Sequence, residues 1–213
     1  MVISSSKDAQ VHWYGQEGRP LVVLLHDYMG RLPWIDAYAR RLAEQGYWVG
    51  VPDFFAGRST TDHDDAVSLM QERMRDLPNA LRIVQEVIGE GRALGSRSVA
   101  LIGFSMGTRL GLAYASEHPG VDAMVGYYGR PYDPRAHVRM PVLFQLGYDD
   151  DDTDAKALQS EMAAQGFEDI EIVVEPDARH GFQNEQNTEK YDADAAERSW
   201  RRTLEFLRAR IGA

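Results

Sequence analysis

Short apolar runs alternate along this chain with longer segments whose apolar positions recur at helical spacing. Several runs are apolar at successive positions, as strands buried on both faces are, and they are rich in Val, Ile, Leu and aromatic residues. They predict six strands, at residues 20–27, 47–53, 97–104, 122–129, 141–147 and 168–175. Helical patterns cover residues 34–46, 62–94 with a break near Pro78, the segment after Ser105, 153–165 and 190–210.

Alternating strands and helices predict βαβ units, and so an α/β fold with a mostly parallel central sheet and helices on both faces. No repeat, low-complexity tract or linker divides the chain, so we expect residues 1–213 to form one domain. Ligands of such sheets bind outside the carboxyl ends of the strands. The positions to search are therefore Asp27, Asp53, Ser105, Tyr128 and the loop after Gly147.

Composition narrows the classes of function. The 23 basic and 33 acidic residues give a net charge of −10, which argues against partners that need a basic surface, nucleic acid and anionic membranes. The absence of cysteine excludes disulfides, thiolate metal sites and a cysteine nucleophile. The N-terminus lacks the apolar run of a signal peptide, and no window has the length of a membrane span. We expect a cytoplasmic protein that needs no metal or organic cofactor.

A G-x-S-x-G motif at residues 103–107 lies between a predicted buried strand and a predicted helix. A serine at such a sharp turn is exposed above the sheet as a nucleophile. A side chain at Gly103 or Gly107 would collide with the neighbouring strand or helix. The alternative is that Ser105 only caps the helix, and the junction alone does not distinguish the two.

A serine nucleophile needs a base, and the base needs an orienting acid. Among the histidines, only His180 follows the last predicted strand, where the order Ser, acid, His of α/β-hydrolases places the base. We expect Gly181 to let the backbone approach the site closely. His118 suits the dipole at a helix end, and the others outside the first strand look like surface or loop residues, namely His12, His63 and His137.

The acid is expected after the strand at 141–147, where four aspartates occupy positions 149–152. They could form a solvated loop, a cation site, or one working acid among bystanders. Calcium loops space their ligands at alternate positions around a glycine, and this run does not. One working acid is therefore favoured, with Asp150 and Asp149 as the candidates.

The N–H of Met106 and that of Tyr28, in the loop after the strand at 20–27, are the expected oxyanion donors. Asp27 is unexpected beside them, because a carboxylate opposes the developing charge unless it is paired or protonated. Four aromatic residues are candidates for the mouth of a substrate pocket, with core packing as the alternative: Trp34, Phe54, Tyr128 and Phe182.

Over nearly its whole length the chain resembles the dienelactone hydrolase family of the α/β-hydrolase superfamily. The likeness lies in "VVLLHDYMG", "YWVGVPDFFAGR", "VALIGFSMGTRLGLAYA", "GYYG", "PVLFQLGYDDD" and "ARHGF", in that order. The family spacing Gly-x-x-Asp falls on Gly147 and Asp150, which favours Asp150 as the acid. Members with established dienelactone activity use a cysteine nucleophile and a nearby glutamate, where this chain has Ser105 and Asp27. The resemblance therefore implies the fold and the reaction class, and leaves the substrate open.

These observations together predict an α/β-hydrolase fold without a large cap domain. The predicted activity is cleavage of a small ester or lactone through an acyl-enzyme on Ser105, with His180 as base and Asp150 as orienting acid. Asp27 and the four aromatic residues are the expected substrate contacts. Two alternatives stay open: a lactone-forming or acyl-transfer enzyme with the same triad, and a non-catalytic small-molecule-binding protein. The oligomeric state is not predicted.

Overall fold

The computed structural model describes residues 2–3, 10–130, 138–150 and 155–213. His137 and two aspartates of the acidic run, Asp151 and Asp152, lie outside these ranges. The strands are β1 (Val2–Ile3), β2 (Val11–Tyr14), β3 (Leu21–Leu25), β4 (Trp48–Pro52), β5 (Val99–Phe104), β6 (Ala123–Tyr127), β7 (Val142–Gly147) and β8 (Ile170–Glu175). The helices are α1 (Pro33–Glu44), α2 (His63–Met74), α3 (Leu77–Ala93), α4 (Met106–Glu117), α5 (Ala155–Ala164) and α6 (Ala193–Ile211).

The strands form one sheet in the order β1-β2-β4-β3-β5-β6-β7-β8. From β4 to β8 every neighbouring pair is parallel, whereas β2 runs antiparallel to both of its neighbours, β1 and β4. The predicted α/β-hydrolase fold with a mostly parallel sheet is confirmed. Because the parallel strands all end at one edge, the loops after β3, β5, β6, β7 and β8 lie together there.

Helices cover both faces of this sheet, and the alternation along β3 shows how. Leu21, Val23 and Leu25 belong to the core beneath α3, α4 and α5, while Val22 and Leu24 belong to the core beneath α1 and α6. All five side chains are fully buried. A strand with core on both sides is apolar at every position, which is the pattern that predicted it.

The antiparallel edge was not among the six predicted strands. In β2, Val11 and Trp13 are buried while His12 and Tyr14 are half-exposed. Trp13 stacks on Trp48 with the ring centroids 4.5 Å apart. This strand pairs with β4 over only four residues, a length at which alternating burial gives a weak signal in sequence.

The long helical pattern at 62–94 is two helices. The break falls at Arg75 and Asp76, just before the predicted interruption, and Asp76 caps α3 by accepting a hydrogen bond from the Asn79 N–H at 3.3 Å. Pro78 lies in the first turn of α3, where a backbone N–H has no partner inside the helix, so the proline costs no hydrogen bond. Of the residues in α2, only Ala66 is buried. No helix in the described ranges is long and apolar enough to cross a membrane.

Candidate active site

Ser105 lies at the sharp turn between β5 and α4. Its φ of +50° and ψ of −106° are a strained conformation for a residue with a side chain. The turn is held by the Ser105 N–H, which donates to the Tyr127 carbonyl at 2.9 Å. The Ser105 side chain makes no capping hydrogen bond to α4, although the residue occupies the N-cap position. Its Oγ is instead 3.1 Å from Nε2 of His180.

The glycines of the motif are required by space. A Cβ on Gly107 would lie 2.2 Å from the Leu25 carbonyl oxygen, and one on Gly103 would lie 2.4 Å from the Thr108 backbone nitrogen. The expected collision with a neighbouring strand and helix is confirmed at both positions. Any larger residue would push α4 away from the sheet and move Ser105.

His180 lies in the loop between β8 and α6, as its place in the sequence predicts. Its Nδ1 is 2.5 Å from Oδ1 of Asp150, so the imidazole bridges the hydroxyl and the carboxylate. Gly181 beside it has a φ of +92°, and a Cβ there would meet only a side-chain atom of Lys190, at 3.7 Å. The glycine is therefore needed for its backbone conformation, and it lines a small cavity with Ser105 and His180, so its backbone lies at the site as expected.

Both candidate acids contact His180, at different atoms. Asp149 Oδ1 accepts a hydrogen bond from the His180 backbone N–H at 2.5 Å, whereas Asp150 reaches the ring. The other carboxylate oxygen of Asp150 accepts from the Gly147 N–H at 2.6 Å. The Asp150 side chain is 8% exposed and that of His180 is 35% exposed, so the acid is covered while the base faces solvent. This geometry favours Asp150 over Asp149 as the orienting acid.

The loop after β3 brings Asp27 to the same place. Its Oδ1 accepts a hydrogen bond from the Met29 N–H at 2.8 Å, and the residue is buried. Burial raises the pKa of the Asp27 carboxyl to about 6, against the opposing effects of the Met29 N–H, His180 and Asn184. Burial outweighs these contacts, so Asp27 holds a proton more readily than an exposed aspartate does, and a protonated acid suits this position.

A buried histidine holds the same loop to its neighbour. His26 Nδ1 lies 2.7 Å from the Asp27 carbonyl oxygen, and His26 Nε2 accepts from the Phe54 N–H at 3.1 Å. Burial lowers the pKa of His26 to about 4, so the ring is neutral at physiological pH and has one donor and one acceptor. The loops after β3 and β4 are thereby linked.

The two expected oxyanion donors are placed without competing acceptors. Within the described ranges, neither the Tyr28 N–H nor the Met106 N–H donates a hydrogen bond. Met106 is the first residue of α4, where backbone N–H groups have no partner inside the helix. Both residues line a cavity of about 290 Å³ together with Ser105 and His180.

We call this space the α2 cavity, because Val67, Met70 and Met74 of α2 line it. These three residues were not singled out from the sequence. Their spacing marks an apolar stripe, but a stripe does not reveal whether a helix faces the core or a cavity. Arg109 and Lys190 also line the space.

The predicted aromatic mouth is wrong for three of its four residues. Trp34, Phe54 and Phe182 are buried at 3%, 0% and 0% exposure and line neither the α2 cavity nor the smaller one beside it. Trp34 packs edge-on against Phe104, with the ring centroids 4.7 Å apart. These aromatic rings fill the space between sheet and helices, the commoner fate of such side chains.

Tyr128 is the exception. It lines a cavity of about 10 Å³ with Asp27, Ser105 and His180, and its ring centroid is 4.9 Å from that of His180. Its φ of +37° turns the side chain inward, and its buried hydroxyl has no hydrogen-bond partner in the described ranges. Burial raises the pKa of Tyr128 well above its usual range, so the hydroxyl stays neutral. Three or more metal-ligating side chains do not cluster anywhere in the same ranges.

Comparison with known proteins gives the family. The model of the dienelactone hydrolase family matches residues 8–211. The chain belongs to the dienelactone hydrolase family. It is a hydrolase that acts on ester bonds, and the resemblance seen in the sequence is confirmed.

Relatives of this dienelactone hydrolase family member include the protein usf of Aquifex pyrophilus, 26% identical over 90% of this chain and 88% of that one. A protein of Aquifex aeolicus whose name proposes a carboxymethylenebutenolidase is also 26% identical, over 89% of this chain and 87% of its own. The solved structure of the dienelactone hydrolase-like promiscuous phosphotriesterase P91, from metagenomic libraries, superimposes with a TM-score of 0.79. It is 24% identical and covers 96% of this chain and 92% of that chain, which shows a shared fold.

Proposed function

We propose that this chain cleaves a small carboxylic ester or lactone through an acyl-enzyme on Ser105. The observation that carries the proposal is the continuous contact from Ser105 Oγ to His180 Nε2 at 3.1 Å, and from His180 Nδ1 to Asp150 at 2.5 Å. A nucleophile, a base and an orienting acid in this arrangement are what acyl transfer requires. The described strands share one sheet, which supports a single domain; the cytoplasmic location stays a prediction.

In the first half of the reaction, Ser105 Oγ attacks the carbonyl carbon while His180 Nε2 takes the serine proton. Asp150 holds the Nδ1–H tautomer of His180 and stabilises the imidazolium that forms. The carbonyl oxygen becomes an oxyanion, to which the N–H groups of Tyr28 and Met106 donate. His180 then gives its proton to the leaving alkoxide, and the acyl group stays on Ser105.

In the second half, water enters beside His180, which removes a proton from it as it attacks the acyl carbon. The second tetrahedral intermediate uses the same two N–H donors. Its collapse releases the acid and returns the proton to Ser105. A serine is not ionised at neutral pH as a thiol can be, so this chain depends on His180 more than a cysteine enzyme would.

The test is Ser105→Ala, assayed on p-nitrophenyl butyrate and by labelling with a fluorophosphonate. We expect kcat/KM to fall about 10⁵-fold, because the nucleophile is lost while the rest of the site stays. The wild type should be labelled at Ser105 alone, as located by peptide mass spectrometry, and labelling should be lost in His180→Ala. The thermal midpoint of Ser105→Ala should stay close to that of the wild type, because the Ser105 side chain makes no cap to α4. Retained esterase activity in a folded Ser105→Ala protein would contradict the proposal.

A further inference from the structure

Two cavities of unlike chemistry share lining residues near the active site, and Ser105 lines the first of them. The α2 cavity is accompanied by a second cavity of about 410 Å³, which we call the loop cavity because Gln186, Asn187 and Thr188 line it. Both are lined by Tyr28 and Lys190. His63 is a third shared residue, and its Nδ1 is 3.2 Å from the Tyr28 hydroxyl.

The α2 cavity is suited to an apolar group. Val67, Met70 and Met74 are only partly buried by the rest of the protein, and they line this cavity together with Met106. Arg109 and Lys190 also line this space and no carboxylate of the described ranges does, so its apolar part is the stretch lined by α2 and Met106. A water molecule occupies about 30 Å³ in the liquid, so a cavity of about 290 Å³ holds roughly ten groups of that size. Its size and lining fit an unbranched acyl chain of up to about eight carbons.

The loop cavity is lined differently. Thr61, Gln186, Asn187 and Thr188 offer hydroxyl and amide groups, which both donate and accept hydrogen bonds. That combination matches the hydroxyl groups of an alcohol, each of which also donates and accepts. Glu189 and Lys190 also line this cavity and carry opposite charges, so the lining favours a neutral group.

The reaction places the two halves of an ester on these two sides. The acyl carbon must lie beside the Met106 N–H, and Met106 lines the α2 cavity. The leaving oxygen must lie beside His180, which lines both the α2 cavity and the small cavity beside Ser105. The small cavity beside Ser105 is lined by both His180 and Asn187, so the leaving group has a short path from one to the other.

We propose that the substrate is an ester between an apolar acid of about four to eight carbons and a neutral, hydroxyl-rich alcohol such as glycerol. The acyl chain lies against α2, and the alcohol lies among the side chains of residues 186–188. This inference rests on the proposed function, because it assigns the two sides of the reaction at Ser105.

The alcohol side is tested with glyceryl monobutyrate and ethyl butyrate, which share an acyl group. We expect the wild type to have the higher kcat/KM for the glyceryl ester. Asn187→Ala should lower the ratio of the two kcat/KM values about fivefold, the equivalent of roughly 1 kcal/mol for one hydrogen bond. Asn79→Ala, an asparagine in α3 far from either cavity, is the matched control and should leave the ratio unchanged.

The acyl side is tested with glyceryl monoacetate, monobutyrate and monohexanoate. Each added methylene should raise kcat/KM roughly fourfold, as burial of a methylene predicts. Val67→Thr keeps the shape of the side chain and places a hydroxyl against the chain, so the ratio of hexanoate to acetate should fall about fivefold. Val67 is only partly buried, and the variant should fold.

The outcomes separate the two proposals. Equal rates on glyceryl and ethyl esters, with Ser105 still labelled by the phosphonate, would overturn the substrate class and leave the proposed hydrolysis standing. A marked preference for an ester that carries a carboxylate, lost in Lys190→Met, would also overturn it, because Lys190 would then select an anion. No labelling and no hydrolysis of any ester would overturn both.

Discussion

Two loops at the carboxyl edge of the sheet each present an aspartate to the site, and the two acids differ in their partners. After β7, Asp150 accepts hydrogen bonds from the Gly147 N–H and from the His180 ring. After β3, Asp27 accepts from the Met29 N–H, and burial raises its pKa to about 6. Both side chains are largely covered. The comparison shows that a backbone N–H partner is common to both acids, and that only Asp150 also meets the His180 ring and is placed to orient the base.

The strongest test of this contrast is Asp150→Asn. We expect kcat to fall about 10⁴-fold, because an amide no longer holds the Nδ1–H tautomer of His180. The matched variant is Asp149→Asn, whose carboxylate accepts from the His180 backbone N–H, and we expect it to lose less than about tenfold. Steady-state kinetics on p-nitrophenyl butyrate measure both. If Asp149→Asn loses the rate and Asp150→Asn keeps it, Asp149 is the acid.

Gly147→Ala perturbs the same loop through its backbone. A Cβ there would lie 2.6 Å from the Arg179 carbonyl carbon and 2.7 Å from the Ala178 carbonyl oxygen, which are backbone atoms next to His180. We expect a loss of about 2–3 kcal/mol in the free energy of unfolding, measured in urea. We also expect a fall of about 100-fold in kcat, because His180 is displaced.

The control for that variant is Gly89→Ala in α3, where an added Cβ meets no atom within 4 Å. It should raise the free energy of unfolding by about 0.5–1 kcal/mol and leave kcat unchanged. A Gly147→Ala protein as stable and active as this control would show that the loop after β7 can accommodate the added Cβ without moving His180.

Asp27→Asn tests the other loop, through an effect on stability that depends on pH. The folded pKa of about 6 is above the ordinary 3.8, so the folded protein keeps a proton that the unfolded chain has released. The stability that this carboxyl contributes is full below about pH 4 and is lost as the pH rises through 6. The shift of roughly two units corresponds to about 3 kcal/mol.

Asparagine cannot ionise and can still accept from the Met29 N–H. The free energy of unfolding of Asp27→Asn, minus that of the wild type, should therefore increase by up to about 3 kcal/mol between pH 3.5 and pH 7. Urea unfolding at several pH values measures the difference. A difference that does not change with pH would mean that Asp27 ionises like an exposed acid.

The sequence was informative about which loops meet. Parallel strands deliver their carboxyl ends to one edge, so the order Ser105, Asp150, His180 along the chain was enough to place three side chains together. The structure brings them into contact; their catalytic roles stay predictions. The choice between Asp149 and Asp150 depended on a spacing shared with a family, because two adjacent aspartates have the same chemistry.

Other features could not be read from the chain. Apolarity alone does not separate a ring that lines a pocket from one that fills a core, so Trp34 and Phe182 were placed at a mouth that they do not form. The apolar stripe on α2 was visible in the sequence, but whether it faces the core or a cavity depends on the path of the chain after β4. The strand at Val11–Tyr14 is short, and its pairing with β4 joins residues far apart in sequence.

The light packing of α2 has a consequence for how this protein could evolve. Ala66 is the one fully buried residue of α2, and Val67, unlike Met70 and Met74, is not packed against the core, so replacements at Val67 should cost little stability. The residues around Ser105 have no such freedom, because a Cβ on Gly103 or Gly107 would collide with backbone atoms. Substrate preference could therefore diverge within a lineage by single substitutions on one helix while the reaction is inherited unchanged.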